Sequence, residues 1–328
     1  MKWLFRLTVL VVAGWSGYWF IGARAQENLF ANLLADGRED GWTAESGDLG
    51  VGGFPYRFDT SLTDLNFRDP SGKWGWQADE FLITALTYQP NHVIAAWPGT
   101  QILDTPEGRV TVDSDVLRAS IVVAPAINMP LERLQLEGAG LLLNGTGWMA
   151  NISTLNAALF QNETTPTRYR LGIDLEDITP PAFITSRLGG GAYLPDLVDK
   201  LRLSGQIYFD REIDRPAFAS ATPPRPLRAT IEPSFILWGP SELRLTGELR
   251  AAENGYVEGN LNFEVFDWQP FFETFRQASN LTTTEKLTLK RALDGASDGR
   301  NLAFTLNFIN GETRIGPFTI GPAPVYPF

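Results

Sequence analysis

The chain has no cysteine and a single histidine, His92. Without cysteine there is no disulfide framework, no thiolate nucleophile and no cysteine-ligated metal, so a hydrophobic core alone must hold the fold together. One histidine excludes a histidine-rich zinc site, and beside Val93 and Ile94 it reads as a strand residue. Positive charge is scarce as well: 27 Lys and Arg stand against 38 Asp and Glu. Setting aside Lys2, Arg6 and Arg24 leaves 24 basic against 38 acidic side chains, a formal charge of −14. Such a surface repels phosphate backbones and anionic headgroups, which argues against nucleic acid as a partner and against polybasic docking onto a membrane.

Long apolar runs are also missing, with one exception. From Trp3 to Ile21 the only charge is Arg6. About 19 residues at ~1.5 Å each are long enough to cross a ~30 Å hydrocarbon core as a helix. Lys2 and Arg6 also fit the basic region of a signal peptide, with Ala23-Arg24-Ala25 as its cleavage site before Gln26. Trp15, Tyr18 and Trp19 sit where a signal peptide wants small residues, and with Trp3 they look like interfacial belts, which favours a retained anchor. Basic residues ahead of the span keep the N-terminus cytoplasmic and export the bulk. Residues 1–25 are therefore read as a transmembrane anchor. Residues 26–40 are read as a helical stem, with Leu29, Phe30, Leu33 and Leu34 on one face and Gly37 as its C-cap.

Beyond the stem the period changes to two. Tyr169, Leu171, Ile173 and Leu175 alternate with Arg170, Gly172, Asp174 and Glu176, which is a strand with one dry and one wet face. Leu201, Leu203, Ile207 and Phe209 repeat the pattern, as do Val257, Leu261, Phe263 and Val265, and then Leu302, Phe304, Leu306 and Phe308. Turn signals at Asp69-Pro70-Ser71-Gly72, Thr105-Pro106-Glu107-Gly108, Asn254-Gly255 and Asn310-Gly311 punctuate the strands. The fold expected is mainly β: an N-terminal transmembrane helix, then curved antiparallel sheets forming a groove or a sandwich, with a few short capping helices. Leu134 to Gly138, Leu201 to Gly205 and Leu243 to Gly247 share Leu-x-Leu-x-Gly, whose glycine marks either a bend in the sheet or a surface kept open for a ligand. Helices are expected from Thr179 as cap, with Phe183 and Ile184 inward and Gly189-Gly190-Gly191 at the end; from Asp267 or Trp268 to Ala278, with Phe271, Phe272 and Phe275 on one face; and from Thr283 to Asp294. They are expected to plug the ends or the open face of the sheet. Pro223-Pro224-Arg225-Pro226 divides a β-rich lobe at 41–222 from a second lobe of the same architecture at 223–328.

Catalytic patterns fail on context. Gly295-Ala296-Ser297-Asp298-Gly299 fits G-x-S-x-G, but this serine follows a helix and no histidine comes after it. Asp294, Asp298 and Asn301 lack the ligand spacing of a calcium loop. Asp113 and Asp115 share a strand face, which reads as a solvated polar face. No catalytic residue, metal ligand or cofactor is expected.

Gly53-Phe54-Pro55-Tyr56-Arg57-Phe58, preceded by Gly41-Trp42 and followed by Trp76-Gln77-Ala78-Asp79 and Tyr88-Gln89-Pro90-Asn91-His92-Val93, resembles the domain-of-unknown-function 2125 family of bacterial proteins. The resemblance implies a protein anchored at the inner membrane with its bulk in the periplasm, and it brings no activity or site residue. Physically, the motif reads as a half-buried strand with Phe54, Tyr56 and Phe58 on one side, a structural role. Leu243 to Ala278 and the ending Gly316 to Pro322 resemble, more loosely, AsmA-like envelope proteins, some of which form apolar grooves implicated in moving lipids. Two functions remain open. One is a non-enzymatic groove protein that binds or passes phospholipid or another apolar ligand in envelope maintenance, on a candidate face of Leu201, Leu203, Ile207, Phe209, Leu243, Leu245, Leu261 and Phe263. The other is an adaptor with a packed sandwich that acts on other envelope proteins through its acidic surface.

Overall fold

The computed structural model describes residues 1–187, 193–219, 223–253, 255–278 and 282–325. The chain is mainly β and antiparallel, behind one long apolar helix. It groups into two compact units, Met1–Pro125 with Leu136–Gly147, and Ala126–Gln135 with Trp148–Phe328. The expected boundary at residue 223 falls inside the second unit, where strand pairing resumes at once from Pro226.

In the first unit the anchor and stem are one continuous helix, α1 (Lys2–Glu39), ~57 Å long at 1.5 Å per residue. By length and composition it is able to cross a membrane. Gly37 does not cap it. The helix runs on to Asp40, and Gly41 at φ +84° supplies the left-handed turn: Trp42 N–H bonds the Gly37 carbonyl at 3.0 Å and Gly41 N–H the Arg38 carbonyl at 3.1 Å, a Schellman motif one turn later than expected. Residues 1–15 of α1 are exposed, whereas Trp19, Ala23 and Leu34 are buried against the sheet.

Strands β1 (Thr43–Glu45), β2 (Leu49–Gly52) and β3 (Arg57–Arg68) follow, with β1 and β2 pairing along opposite ends of β3. Next come β4 (Gly75–Leu86), β5 (Gln89–Ala96), β6 (Gln101–Thr105), β7 (Gly108–Asp113), β8 (Val116–Val123) and β9 (Leu131–Gly145). β4 pairs along its whole length with β3, and its ends pair with β6 and β5; β5 pairs with β8, and β6 with β7. Leu34 packs with Ala44, Leu62, Leu65 and Ala78, so α1 closes one core of this unit.

Gly53 to Tyr56 is a turn, not the expected strand. Gly53 sits at φ +93°, Arg57 N–H bonds the Gly53 carbonyl at 2.9 Å, and the Phe54-Pro55 peptide is cis. That closed loop breaks the alternation: Phe58 is buried, while Phe54 and Tyr56 are exposed.

The second unit holds β10 (Trp148–Gln161), β11 (Arg168–Thr179), α2 (Ala182–Arg187), β12 (Val198–Phe209), α3 (Arg215–Ala219), β13 (Pro226–Trp238), β14 (Ser241–Ala251), β15 (Val257–Phe266), α4 (Trp268–Ala278), α5 (Thr283–Ala296), β16 (Asn301–Ile309), β17 (Glu312–Ile315) and β18 (Phe318–Pro322). From β10 to β18 each strand pairs antiparallel with the next. Asn310 and Gly311, both at positive φ, make the two-residue turn between β16 and β17. Asn254 and Gly189 to Gly191 lie outside the described residues.

Two of the repeat's glycines mark close backbone approach. A Cβ on Gly205 would stand 2.5 Å from the Thr230 carbonyl oxygen, and one on Gly247 2.2 Å from that of Asn260. Both border the irregular stretch of β13 where register shifts between Ile231 and Ser234, so the bend reading fits them. The first helix is also corrected. Thr179 is still paired in β11, opposite Asn151, so α2 begins after Pro181, and Phe183 and Ile184 are exposed rather than inward.

Candidate functional site

The ladder of the second unit separates the two faces of its strands, apart from rings such as Phe160, Phe235 and Phe266, which lie under arginines on the charged side. Cross-strand register lines up Leu155, Leu175, Leu201, Ile236, Leu243, Val265 and Leu302 in one row, one residue from each of β10 to β16. The neighbouring row includes Ala157, Ile173 and Leu203, then Leu245, Phe263 and Phe304. The intervening positions carry ion pairs: Arg202 with Asp174 at the short end of hydrogen-bond range, Arg228 with Glu248 at 2.9 Å and Arg250 with Glu258 at 2.9 Å. Alternation thus sends apolar atoms to one side and paired charges to the other.

What covers the apolar side changes along the sheet. Over β14 to β16 it is covered by α4 and α5, whose Trp268, Phe272, Leu289 and Leu293 form a buried cluster with Val265 and Leu302. The α4 expectation holds for Trp268 to Ala278 with Phe271 and Phe272, while the side chain of Phe275 lies outside the described residues. α5 runs to Ala296, two residues past the expected end, and starts from a Thr282 and Glu285 capping box.

Beneath these helices is a cavity of about 240 Å³. Leu243, Phe263 and Val265 wall it from β14 and β15, Trp268, Phe271 and Phe272 from α4, and Leu302, Phe304 and Leu306 from β16. Every lining residue is apolar, and Phe263 and Phe304 stack 5.1 Å apart at its wall. The indole Nε1 of Trp268 is buried without a hydrogen-bond partner among the described residues, an unused donor in an otherwise apolar wall.

Of the eight expected face residues, Leu243 and Phe263 line this cavity. Leu245 and Leu261 lie on the same strands and face, and Leu201, Leu203, Ile207 and Phe209 lie on β12, two ladder steps away. None of the eight is fully buried. Phe209 packs edge-on against Tyr169, 5.7 Å between rings. Burial pushes the Tyr169 hydroxyl up, against hydrogen bonds with Ile213 N–H and Gln161. The α5 residues and Trp268 were not read as part of a site, because their contribution depends on a fold-back between α4 and α5 that no local period reveals; Thr-x-x-Glu at 282–285 was the one signal available for it.

The motif from Gly53 to Phe58 has a different job, in the first unit. Trp15 Nε1 donates to the Pro55 carbonyl at 2.9 Å, Trp19 Nε1 to that of Arg57 at 2.7 Å, and Tyr18 Oη to that of Thr87 at 2.8 Å. Phe54 packs on the rings of Trp19 and Phe20, and Phe58 stacks on Trp19 and leaves no room for a Cβ at Gly22. The motif is therefore the dock for α1. Arg57 pairs with Asp59 at 2.8 Å.

The chemical candidates are each bound up locally. His92 Nε2 lies 2.9 Å from Ser120 Oγ; Asp113 accepts from Thr100; Ser297 donates to the Asp294 carbonyl at 3.1 Å, and Asp298 accepts from Asn301 N–H at 2.8 Å. No group of three or more His, Asp or Glu able to hold a metal is found among the described residues.

The family model for an uncharacterized protein conserved in bacteria (DUF2125) matches residues 19–324, and the chain belongs to that family. No curated protein and no solved structure matches the chain.

Proposed function

We propose that this DUF2125 protein is held at the bacterial inner membrane by α1 with its bulk in the periplasm, and that it is a non-enzymatic carrier or receptor for an acyl chain or similar apolar ligand. The observation that carries this reading is the cavity under α4 and α5, lined by apolar side chains alone, at one end of a sheet whose apolar row runs on from Leu243 through Ile236 and Leu201 to Leu175. At about 240 Å³ it is smaller than the roughly 300–1,000 Å³ of typical ligand pockets, so it takes part of a chain while the rest lies along the face. The likeness of Leu243 to Ala278 to AsmA-like envelope proteins leans the same way. The adaptor reading needs a covering layer over the apolar rows; among the described residues α4 and α5 supply one over β14 to β16, and Tyr169 and Val198 are buried at the ends of β11 and β12, while Leu201, Leu203 and Ile207 between them stay half-buried.

The test is photolabelling of the full chain with palmitic acid carrying a diazirine at its chain end, mapped by peptide mass spectrometry. Label is expected between residues 243 and 306, and Leu306→Trp, which fills the cavity, should reduce it at least fivefold while label in α1 and the melting temperature stay unchanged. Label confined to α1, or cavity label indifferent to Leu306→Trp, would remove the ligand reading and leave the adaptor.

A further inference from the structure

Two loop tips meet α1 at the end of its apolar stretch. One is the Phe54-Pro55-Tyr56 turn and the other is the β4 to β5 tip, Thr87-Tyr88. Thr87 N–H bonds the Tyr56 carbonyl at 3.0 Å, joining them. They touch Trp15 to Gly22, yet the next charge on the helix is Arg24. From Lys2 the helix rises ~20 Å to Trp15 and ~27 Å to Phe20, against ~30 Å of hydrocarbon. On the anchor reading, with the span counted from Lys2, the tips lie beside the part of α1 at the membrane boundary.

Their composition suits that depth. Phe54, Tyr56 and Tyr88 are 52%, 65% and 64% exposed; Phe54 lies against Trp19 and Phe20, while the rings of Tyr56 and Tyr88 meet no other ring among the described residues. Backbone at membrane depth is costly unless its polar groups are satisfied within the protein. Here three carbonyls, of Pro55, Arg57 and Thr87, each accept from an aromatic donor of α1, the Tyr56 carbonyl accepts from Thr87, and Gly53's from Arg57. Aromatic donors in place of water let these carbonyls sit at the edge of the hydrocarbon, where water is scarce.

We propose that these two tips form a wedge set into the outer headgroup and upper acyl region of the membrane that α1 spans, with Tyr56 and Tyr88 as its lipid contacts. It fixes the first unit against the bilayer where a bare helix would let it swing. The proposal rests on the anchor reading, and its test separates the two. The absence of cysteine allows single labels: Leu10→Cys in the span, Tyr56→Cys and Tyr88→Cys on the wedge, and Lys73→Cys at the opposite end of β3 and β4, ~36 Å away along the strands. The full chain, carrying a bimane at each site, is placed in phosphatidylethanolamine and phosphatidylglycerol vesicles containing lipids brominated near the headgroup or near the chain end.

Leu10→Cys should be quenched best by deep bromine, Tyr56→Cys and Tyr88→Cys at least threefold more by shallow bromine than Lys73→Cys, and Lys73→Cys hardly at all. Quenching at Leu10→Cys with Tyr56→Cys and Tyr88→Cys no different from Lys73→Cys would overturn the wedge and leave the anchor standing. Absence of quenching at Leu10→Cys would overturn both. Both tyrosines are exposed, so their replacement leaves the packing intact, and an unchanged melting temperature checks this.

Discussion

The same two-residue alternation leads to opposite ends in β3 and in β12. On β3 the inward residues Phe58, Thr60 and Leu62 are buried, because α1 lies over them with Trp19, Ala23, Gln26 and Leu34. On β12 the inward residues Leu201, Leu203 and Ile207 remain half-buried, because the described helices α4 and α5 cover only the β14 to β16 end of that ladder. Alternation says which atoms avoid water and nothing about what shields them. A closed core and a half-buried face are written with the same residues, and the difference lies in a distant helix.

Arginine at matched positions breaks the comparison most directly. Leu62 is 4% exposed, and Leu62→Arg buries a charge with no partner, at a cost of about 3–5 kcal/mol. Urea unfolding should show the first unit lost or its midpoint far lower. At Leu203→Arg the guanidinium reaches water from an open face, and the expected loss is about 1 kcal/mol or less. Equal losses at the two sites would mean that the β12 face is covered, and the carrier reading would fall with its openness.

Methyl groups added to glycines sharpen the same contrast within one ladder. Gly247→Ala drives a Cβ to within 2.2 Å of the Asn260 carbonyl oxygen, where the neighbouring backbone must move, and should cost about 1–3 kcal/mol. Gly172 on β11 has nothing within 4 Å of an added Cβ, so Gly172→Ala should be neutral or stabilise by about 0.4–1 kcal/mol through the unfolded chain. Thermal unfolding of the pair decides whether Gly247 is a bend or merely a vacancy. An unaffected Gly247→Ala would revive the view that this glycine keeps the face clear for a ligand.

Much of this fold was legible where local chemistry suffices. Tyr169 to Leu175 and Leu302 to Phe308 lie in strands as their alternation required, and Asn310-Gly311 turns where its two positive φ values are cheap. Local reading failed where two local signals competed. Gly37 looked like a helix end, but good helix formers on either side outweigh one glycine at about 1 kcal/mol, and the stop waits for Gly41. Phe54, Tyr56 and Phe58 alternate as a strand would, yet the turn closed at Gly53 puts two of them outside. Leu243 and Phe263 were legible as apolar, and the helices now α4 and α5 as plugs for an end or the open face; which side chains would roof the pair, Trp268 and Leu289, was not, since that contact is made between elements about twenty residues apart and carries no period.

The smallest effect tests whether the charged sides of the two units behave alike where their apolar sides differ. In the first unit a hydrogen bond from Arg109, with Arg109 and Arg68 charges beside it, holds the Asp104 carboxyl below its ordinary 3.8. In the second, burial pushes Asp174 up, but hydrogen bonds from Arg202 and Lys200 outweigh it and leave it below 3.8 too. A carboxyl whose folded pKa is below its unfolded one binds fewer protons when folded. Its contribution is complete above about pH 5, shrinks as pH passes the unfolded value and is gone once pH falls through the folded one. Melting temperature should therefore be flat from pH 7 to 5 and drop below about pH 4. Asp104→Asn and Asp174→Asn should each remove a similar small part of that drop, because partly exposed pairs are worth about 0–1 kcal/mol, and 1 M salt should shrink it further. Hydrogen exchange resolved by peptide assigns each loss to its own strands, β6 and β7 for Asp104, β11 and β12 for Asp174. A much larger loss at Asp174→Asn would show that the second unit, whose apolar face is only half-buried at β12, leans on its charged face for cohesion in a way the first does not.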